Sequence, residues 1–180
     1  METKIFDGKK IIIRKISKSD LKNARSFLDH INLLVEEKAM LLINKKQTLK
    51  DEAAFLREMV KKGKRGDSVC LVAKHSGRVV GLTDINIKSY SKNHIGNFGI
   101  SIRRGYRGIG LGKYLMAEII KLAKKELKPK PKIIQLEVYA NNAPAIALYK
   151  KMGFKIVAKV PKQVQWKGKL IDEFVMLKFL

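Results

Sequence analysis

The amino-acid sequence predicts an α/β (α+β) protein with one domain spanning residues 1–180. Three observations support this prediction. Short runs rich in β-branched residues alternate along the chain with segments whose apolar residues recur at helical spacing. A glycine-rich loop at residues 103–113 joins a predicted strand to a predicted helix. With 180 residues, of which 46% are hydrophobic, the chain can bury a single core, and no linker-like segment divides it.

The first third of the chain is predicted to contain one strand and three helices. Residues 10–16 are a β-branched run typical of a strand. Hydroxyl side chains then mark helix starts, because Ser and Thr accept hydrogen bonds from the free N–H groups of a first turn. The first predicted helix begins after Ser17 or Ser19. The second covers a stretch that includes Leu33, Leu34 and residues 40–43, and the third runs from Thr48 to Gly63.

The remainder of the chain is predicted to alternate six strands with two helices, which gives about seven strands in total. Hairpins are expected at the Ser76-Gly77 and Lys167-Gly168 turns, because glycine adopts the positive φ that tight turns need. The predicted strands are residues 68–74, 78–88, 95–102, 132–140, 155–160 together with 164–166, and 170–179, and the predicted helices are residues 111–127 and 143–152.

The loop at residues 103–113 has the composition of a phosphate-binding turn. Its four glycines allow a positive φ and a close approach of the backbone to a ligand. Its N–H groups and the N-terminus of the following helix favour a pyrophosphate, and Arg104, Arg107 and Lys113 add positive charge. The spacing of the glycines excludes the P-loop and the dinucleotide-binding Gly-x-Gly-x-x-Gly pattern. Residues 107–112 instead match Arg/Gln-x-x-Gly-x-Gly/Ala.

A second motif covers residues 136–154, which read Leu-Glu-Val-Tyr-Ala-Asn-Asn-Ala-Pro-Ala-Ile-Ala-Leu-Tyr-Lys-Lys-Met-Gly-Phe. In this order, the two motifs resemble those of the GCN5-related N-acetyltransferase (GNAT) superfamily, and the resemblance is specific over residues 68–180. The second motif is most similar to the branch that acetylates the N-terminal alanine of ribosomal proteins. The resemblance implies a GNAT fold. This is a single mixed, largely antiparallel central sheet of about seven strands, with helices on both faces and a splay between central strands that admits the cofactor.

The resemblance implies acetyl-CoA as the cofactor and no metal. The loop backbone would hold the pyrophosphate, the backbone of Ile100 and Ile102 would pair with the pantetheine arm, and the N–H of Ile102 would polarise the thioester carbonyl. Asn142 would reach the same cofactor, cap the helix that follows it, or do both. The implied cofactor-binding residues are Ile100, Ile102, Arg107, Gly108, Ile109, Gly110, Leu111, Gly112, Lys113, Asn142 and Tyr149.

The resemblance also implies a proton donor and a proton acceptor. Tyr149 stands at the family's tyrosine position and would donate to the leaving CoA thiolate. Glu137 stands where the ribosomal-protein branch places its base, although a glutamate that simply pairs with one of the many lysines fits the sequence equally well. Asp84, acting through a water, is the second candidate base. The strand before the loop carries Asn97 and Ser101 but no acid.

Four residues are expected to line the pocket for the acceptor amine. Strand alternation places Tyr139 on the same face as Glu137. Glu36 and Glu37 stand where relatives line this pocket, and they would either attract a cationic substrate or face solvent. The expected acceptor-binding residues are Glu36, Glu37, Asp84 and Tyr139.

The expected reaction is direct transfer of an acetyl group to a primary amine. The second motif favours a protein N-terminus or lysine, on a ribosomal or other basic protein. Residues 166–176 are instead similar to relatives that act on small amines, so a polyamine, amino acid or antibiotic is the alternative acceptor. A basic module that binds nucleic acid or the ribosome, and an acetyl-CoA sensor without turnover, are further alternatives.

The formal net charge is +23, and the lysines are spread through every segment. A solvated lysine-rich surface, phosphate contacts with RNA or DNA, and steering of the anionic cofactor all account for such a charge. No apolar run reaches the ~20 residues of a membrane span, and residues 1–8 have no signal-peptide pattern. A cytoplasmic protein without membrane contact is therefore expected, either a monomer or a homodimer.

Overall fold

The computed structural model describes residues 1–180 and contains one eight-stranded sheet and four α-helices. The strands are β1 (Glu2–Phe6), β2 (Lys9–Lys15), β3 (Ser68–His75), β4 (Arg78–Ile87), β5 (Ile95–Ile102), β6 (Ile133–Tyr139), β7 (Lys155–Trp166) and β8 (Lys169–Phe179). The helices are α1 (Ala24–Glu36), α2 (Leu49–Arg65), α3 (Leu111–Glu126) and α4 (Ala143–Lys151). The strand order is β1-β2-β3-β4-β5-β6-β8-β7, and every neighbouring pair is antiparallel except β5 with β6. The predicted fold class is confirmed.

The sheet has one strand more than the predicted seven, because β1 was not predicted. β1 forms a hairpin with β2 through Asp7 and Gly8, which both have positive φ. No residue of β1 is fully buried, since it is the edge strand and only Phe6, at its end, packs against the core. The period-2 alternation of apolar residues that marks a half-buried strand is therefore missing from this segment.

The predicted second helix, over Leu33, Leu34 and residues 40–43, is wrong. Leu33 and Leu34 belong to α1, which ends at Glu36, and residues 38–48 form an irregular connection. Lys38 takes a positive φ of 53°, which a helix cannot contain. The apolar side chains at 40–43 line a cavity instead of a helix face, and this explains why a helix was predicted for them.

The helix starts follow the hydroxyl signals in the sequence. Ser17 begins a short 3₁₀ segment that leads into α1, and Thr48 caps α2 by accepting from the N–H of Asp51 at 3.2 Å. α2 extends past the predicted end at Gly63 to Arg65, where Gly66 has the left-handed conformation that terminates helices (φ 81°). None of the four helices combines the length and the hydropathy that a bilayer crossing requires.

The helices cover both faces of the sheet. On one face, Phe27 of α1 and Leu56 of α2 pack against Val72 and Val79. On the other, Met116 and Ile119 of α3 belong to a larger core that also contains alternate residues of β6. This arrangement makes the centre of the sheet the most buried part of the molecule, with β3 buried from Ser68 to Ala73.

The two parallel strands at the centre separate after a short pairing. β5 and β6 are in register only over Ile95–Asn97 and Ile133–Gln135. Beyond these residues β5 continues to Ile102 while still paired with β4, and β6 continues to Tyr139 while still paired with β8. The splay between the central strands, which the family resemblance implied, is therefore present in the sheet.

Candidate active site

A cavity of about 510 Å³ lies at the splay between β5 and β6. Its walls come from both faces of the sheet, because Phe27 and Phe55 belong to α1 and α2 while Tyr149 belongs to α4. The floor is formed by residues of β4, β5, β6 and β8 that border the splay. The cavity therefore connects the two sides of the sheet at the point where the strands diverge.

The irregular segment 38–48 closes one side of this cavity. Tyr139 donates its hydroxyl to the carbonyl of Leu41 at 2.9 Å, and Trp166 donates its indole N–H to the carbonyl of Lys38 at 2.8 Å. Asn32 exchanges two hydrogen bonds with the backbone of Gln47, at 2.8 and 3.0 Å. These contacts fix the segment at its start, middle and end, so it forms a wall of the cavity rather than a free loop.

The glycine-rich loop presents an open helix N-terminus next to the splay. Gly105, Gly108 and Gly110 have φ values of 84°, 78° and 90°, which favour glycine. Gly110 is the N-cap of α3 and supplies no side-chain cap, so the N–H groups at the start of α3 remain available to an anion. A Cβ at Gly112 would lie 3.2 Å from Ile102 Cδ1 and 3.4 Å from Leu148, so a side chain there would force Ile102 to shift by a few tenths of an ångström. The loop geometry fits a pyrophosphate.

The open edge of β5 faces the splay with its backbone groups. The N–H of Arg103 donates to the carbonyl of Val80 on β4 at 2.9 Å. Because backbone groups alternate in direction along a strand, the N–H and C=O groups of Ile100 and Ile102 point to the opposite side, into the splay. Arg107 Nε donates to the carbonyl of Ile102 at 2.7 Å and so connects the loop to this edge.

Tyr149 lies at the α4 side of the cavity. Its ring packs edge-to-face against Phe98 of β5, with the ring centroids 6.2 Å apart, and it also contacts Phe154. The side chain is 8% exposed, and burial raises its pKa to about 12. The hydroxyl therefore stays protonated at neutral pH and is available as a donor.

Asp84 lies in the cavity floor and pairs in register with Gly99 of β5. A Cβ at Gly99 would lie 3.1 Å from Asp84 Oδ1, so the missing side chain leaves room for the carboxylate over β5. Burial raises the pKa of Asp84 to about 6. The hydrogen bond from Asn86 Nδ2 and the positive charge of Lys62 both lower this pKa, but they do not cancel the effect of burial. A carboxyl group with this pKa is a proton acceptor matched to neutral pH.

Glu137 lines the same cavity but is exposed. It accepts a hydrogen bond from Gln135 Nε2 at 3.0 Å, and it does not pair with a lysine. Ile134, Leu136 and Val138 belong to the core on the opposite face of β6, as strand alternation predicts. The structure therefore brings Glu137, Asp84, Tyr139 and Tyr149 into one cavity.

Asn142 lines the cavity and also caps α4, since its side-chain oxygen accepts from the N–H of Ala145 at 3.4 Å. Glu36 and Glu37 do not line the cavity. Glu36 pairs with Lys46 at 2.7 Å, and Glu37 pairs with the Arg107 guanidinium. These two glutamates lie at the end of α1, where neighbouring cations hold them away from the expected acceptor pocket.

The cavity also contains ionisable residues that the sequence did not place in the site, among them His30, Glu52 and Glu173. His30 Nε2 lies 2.9 Å from Ser101 Oγ. Burial, and then the nearby Arg103, lower the pKa of His30 to about 3, so the imidazole is neutral. Its position three residues after Phe27 places it on the buried face of α1, which is the sequence signal that could have identified it.

Glu52 and Glu173 are 7% and 6% exposed. Burial raises the pKa of Glu52 to about 7, and burial together with the charge of Glu137 raises the pKa of Glu173. Glu52 lies in the first turn of α2, where an acid interacts favourably with the helix dipole. The sequence alone therefore does not distinguish an acid that stabilises the helix from one that belongs to the cavity.

The splayed sheet, the open loop and the tyrosine at the cavity define a protein of the class that transfers acyl groups from acetyl-CoA. Residues 36–154 match the model of the acetyltransferase (GNAT) family, and the chain belongs to that family. The predicted family and cofactor, acetyl-CoA, are thereby confirmed.

Individual relatives differ in their acceptors. The L-amino acid N-acetyltransferase AaaT of Escherichia coli (strain K12) is 33% identical over 109 residues, which are 60% of this chain and 66% of that protein. The ribosomal-protein-alanine N-acetyltransferase of Brucella melitensis is 25% identical, with a TM-score of 0.78 over 94% of this chain and 99% of that chain. The protein yncA of Salmonella typhimurium, solved with its cofactor acetyl-CoA, shares the fold at 19% identity, with a TM-score of 0.79 over 94% of each chain.

Proposed function

We propose that this chain transfers the acetyl group of acetyl-CoA to the primary amine of a small cationic acceptor that has no free carboxylate. The supporting observation is the charge of the cavity. Its 25 lining residues include five acids and no lysine or arginine. The chain as a whole has 39 Lys and Arg against 16 Asp and Glu, so this reversal of sign is local to the cavity. The five acids are Asp51, Glu52, Asp84, Glu137 and Glu173.

The charge of the cavity favours one of the acceptor classes that the relatives suggest over another. An L-amino acid, the substrate in the name of the Escherichia coli relative, carries a carboxylate that needs a positive partner. The cavity offers none, because His30 is neutral and no lysine or arginine lines the wall. An amine without a carboxylate has no such requirement, and its ammonium group is attracted by the acids.

The wall formed by segment 38–48 favours a small acceptor over a protein. Tyr139 and Trp166 hold this segment against β6 and β7, so the cavity is walled along one side and has less room for an extended polypeptide. The motif at residues 136–154 pointed to a protein N-terminus. The geometry of the cavity instead favours the second acceptor class, a small amine.

Asp84 is the residue that we assign as proton acceptor, in preference to Glu137. An amine of pKa about 10.4 enters as an ammonium group and must lose a proton before it can attack. Asp84 is held over Gly99 beside the open edge of β5, whereas Glu137 is exposed at the other side of the splay. The pKa of about 6 leaves Asp84 ionised at neutral pH and more basic than an ordinary aspartate.

Acetyl-CoA supplies the thioester, so that a C–N bond forms to the amine as the C–S bond breaks. The N–H of Ile102 points into the splay and would stabilise negative charge on the carbonyl oxygen. Tyr149 would donate its hydroxyl proton to the departing thiolate. Of the two protons that the ammonium group loses on becoming an amide, the first would reside on Asp84, and the second, released as the C–N bond forms, would restore the Tyr149 hydroxyl. The N–H groups at the start of α3 would hold the pyrophosphate.

Release of free CoA, measured with a thiol reagent, tests this function. The acceptors are 1,4-diaminobutane, leucine amide and leucine, each with saturating acetyl-CoA. We expect turnover with the two acceptors that lack a carboxylate and much less with leucine. Tyr149→Phe should lower kcat about 10- to 100-fold, because a hydrogen bond to a charged group contributes about 1.5–3 kcal/mol.

The matched control is Tyr90→Phe, since Tyr90 is 92% exposed and does not line the cavity. Acetyl-CoA binding by calorimetry should be the same in both variants. A preference for leucine over leucine amide would overturn the acceptor class. Turnover by Tyr149→Phe equal to wild type would remove Tyr149 as the donor, and saturable acetyl-CoA binding without any transfer would favour a sensor.

A further inference from the structure

We infer that the cavity binds acceptors with at least two ammonium groups, so that the substrate is an aliphatic diamine or polyamine, and that Glu52 and Glu173 hold the ammonium groups that do not react. This inference rests on the proposed function and specifies the acceptor of the same site.

The first supporting observation is that Glu52 and Glu173 are buried without partners. They are 7% and 6% exposed, and both line the cavity. No side chain or backbone N–H donates to either carboxylate, and no lysine or arginine lies within ion-pair distance of them, so burial alone shifts the pKa of Glu52 and only burial and Glu137 shift that of Glu173. The carboxylate oxygens open to the cavity rather than being enclosed, but burial removes enough of their hydration to raise both pKa values, and no group of the chain replaces it. A cation from outside the chain would supply what each carboxylate lacks.

The second observation is that the acids form two separate poles. Glu173 pairs in register with Tyr139, two residues from Glu137 on the same face, and the charge of Glu137 raises the pKa of Glu173. Glu52 belongs to α2, on the opposite wall, and burial alone raises its pKa. One pole therefore lies on the β6–β8 side and the other on the helical side, with Asp84 in the floor.

The third observation is the character of the surface that joins the poles. Of the 25 lining residues 14 are hydrophobic, including Phe27, Met40 and Phe55. No group of three or more His, Cys, Asp or Glu is placed to hold a metal ion. A ligand with cationic ends and a methylene chain between them matches two separated anionic poles with an apolar wall; a single compact cation does not.

Steady-state kinetics with amines that carry one, two or three ammonium groups test the inference. Butylamine and 1,4-diaminobutane differ only in the second ammonium group, and spermidine adds a third. Wild-type protein should prefer 1,4-diaminobutane or spermidine over butylamine by at least tenfold in kcat/KM. Glu52→Gln and Glu173→Gln should each reduce this ratio severalfold or more through a higher KM for the diamine and triamine.

The matched control is Glu58→Gln, which makes the same charge change on an exposed residue of α2 that does not line the cavity. It should keep the wild-type ratio. Equal kcat/KM for butylamine and the polyamines, or an unchanged ratio in both Glu52→Gln and Glu173→Gln, would overturn the inference while leaving acetyl transfer to amines intact.

Calorimetric titration of spermidine into the protein gives a second readout that does not depend on turnover. Binding by wild type that weakens in Glu52→Gln and Glu173→Gln, but not in Glu58→Gln, would support the inference even if no acetyl transfer were detected, and the proposed function alone would then fail. Absence of spermidine binding together with turnover of butylamine would overturn the inference alone.

Discussion

Two buried carboxylates near the starts of helical segments have opposite surroundings in this protein. Asp20 is fully buried and accepts hydrogen bonds from both terminal nitrogens of Arg14, at 2.6 and 2.7 Å, and from the N–H of Ser17 at 2.9 Å. Lys74 lies 3.4 Å away. Burial alone would raise the pKa of Asp20, but these partners outweigh it and lower the pKa. Glu52 is almost as buried, has no partner, and has a pKa raised to about 7.

The difference separates a carboxylate that stabilises the fold from one that is available to a ligand. Lysine and arginine are abundant in this chain, and at Asp20 two of them converge on one acid. Their absence around Glu52 and Glu173 is therefore a feature of the cavity rather than a consequence of composition. Buried groups that are costly to the folded state cluster at functional sites, and this cavity follows that tendency.

The largest effect is expected from removing the carboxylate that we assign as base. Asp84→Asn should lower kcat/KM about 10²- to 10⁴-fold at pH 8, the range typical of general-base catalysis. In wild type, kcat/KM should rise with pH through about 6 as Asp84 ionises, since Asn86 and Lys62 only partly offset the effect of burial. The variant should lack this rise. A pH–rate profile of both proteins with 1,4-diaminobutane measures it.

The control for Asp84→Asn is Asp29→Asn, which alters an exposed carboxylate of α1 outside the cavity. It should keep the wild-type profile. If Asp84→Asn keeps the rise near pH 6 and loses little activity, the base is another group, and Glu137→Gln becomes the variant to measure.

The next effect, on stability, is expected at the paired acid. Asp20→Ala leaves Arg14 and Lys74 without their shared partner and should lower the free energy of unfolding by about 3–5 kcal/mol. Because the pKa of Asp20 is lowered in the folded state, its stabilisation is present above the unfolded value and is lost as pH falls through the folded value. Urea denaturation at pH 7 and at pH 3 measures both statements.

Activity per folded molecule of Asp20→Ala should equal that of wild type, because Asp20 lies outside the cavity. A loss of less than 1 kcal/mol would mean that the Arg14–Asp20 contact does little for the fold. Asp20 would then not be a carboxylate that stabilises the fold, and its contrast with Glu52 would be wrong.

The parts of the fold that the sequence predicted are those with local signals. The strands from β3 to β8 lie within one or two residues of their predicted bounds, because turn glycines and β-branched runs mark their ends. The loop at residues 103–113 and Tyr149 were also identified, since each belongs to a contiguous motif. The strand β1 was missed because an edge strand without a buried face leaves no alternation in the sequence.

The cavity itself could not be predicted in the same way. Its acids come from α2, β4, β6 and β8, and only the fold brings these elements together. Residues 40–43 have the spacing of a helix but line the cavity wall, so the apolar pattern was assigned to the wrong structure. Glu36 and Glu37 were expected in the acceptor pocket, but Lys46 and Arg107 pair with them outside it.

The smallest effect has the sign opposite to that of Asp20→Ala. Glu52→Gln should raise the free energy of unfolding at pH 8 by on the order of 1–3 kcal/mol, because one unit of pKa shift corresponds to about 1.4 kcal/mol. The folded pKa of about 7 lies above the usual value of 4.5, so ionised Glu52 opposes folding as pH rises through this window. At pH 4 the carboxyl group is mostly protonated in both states, and most of the gain should vanish. Urea denaturation at the two pH values measures the difference, with Glu58→Gln as the matched control. If Glu52→Gln destabilises the protein at pH 8, Glu52 has a stabilising partner in the folded state, and it belongs with Asp20 rather than with the ligand site.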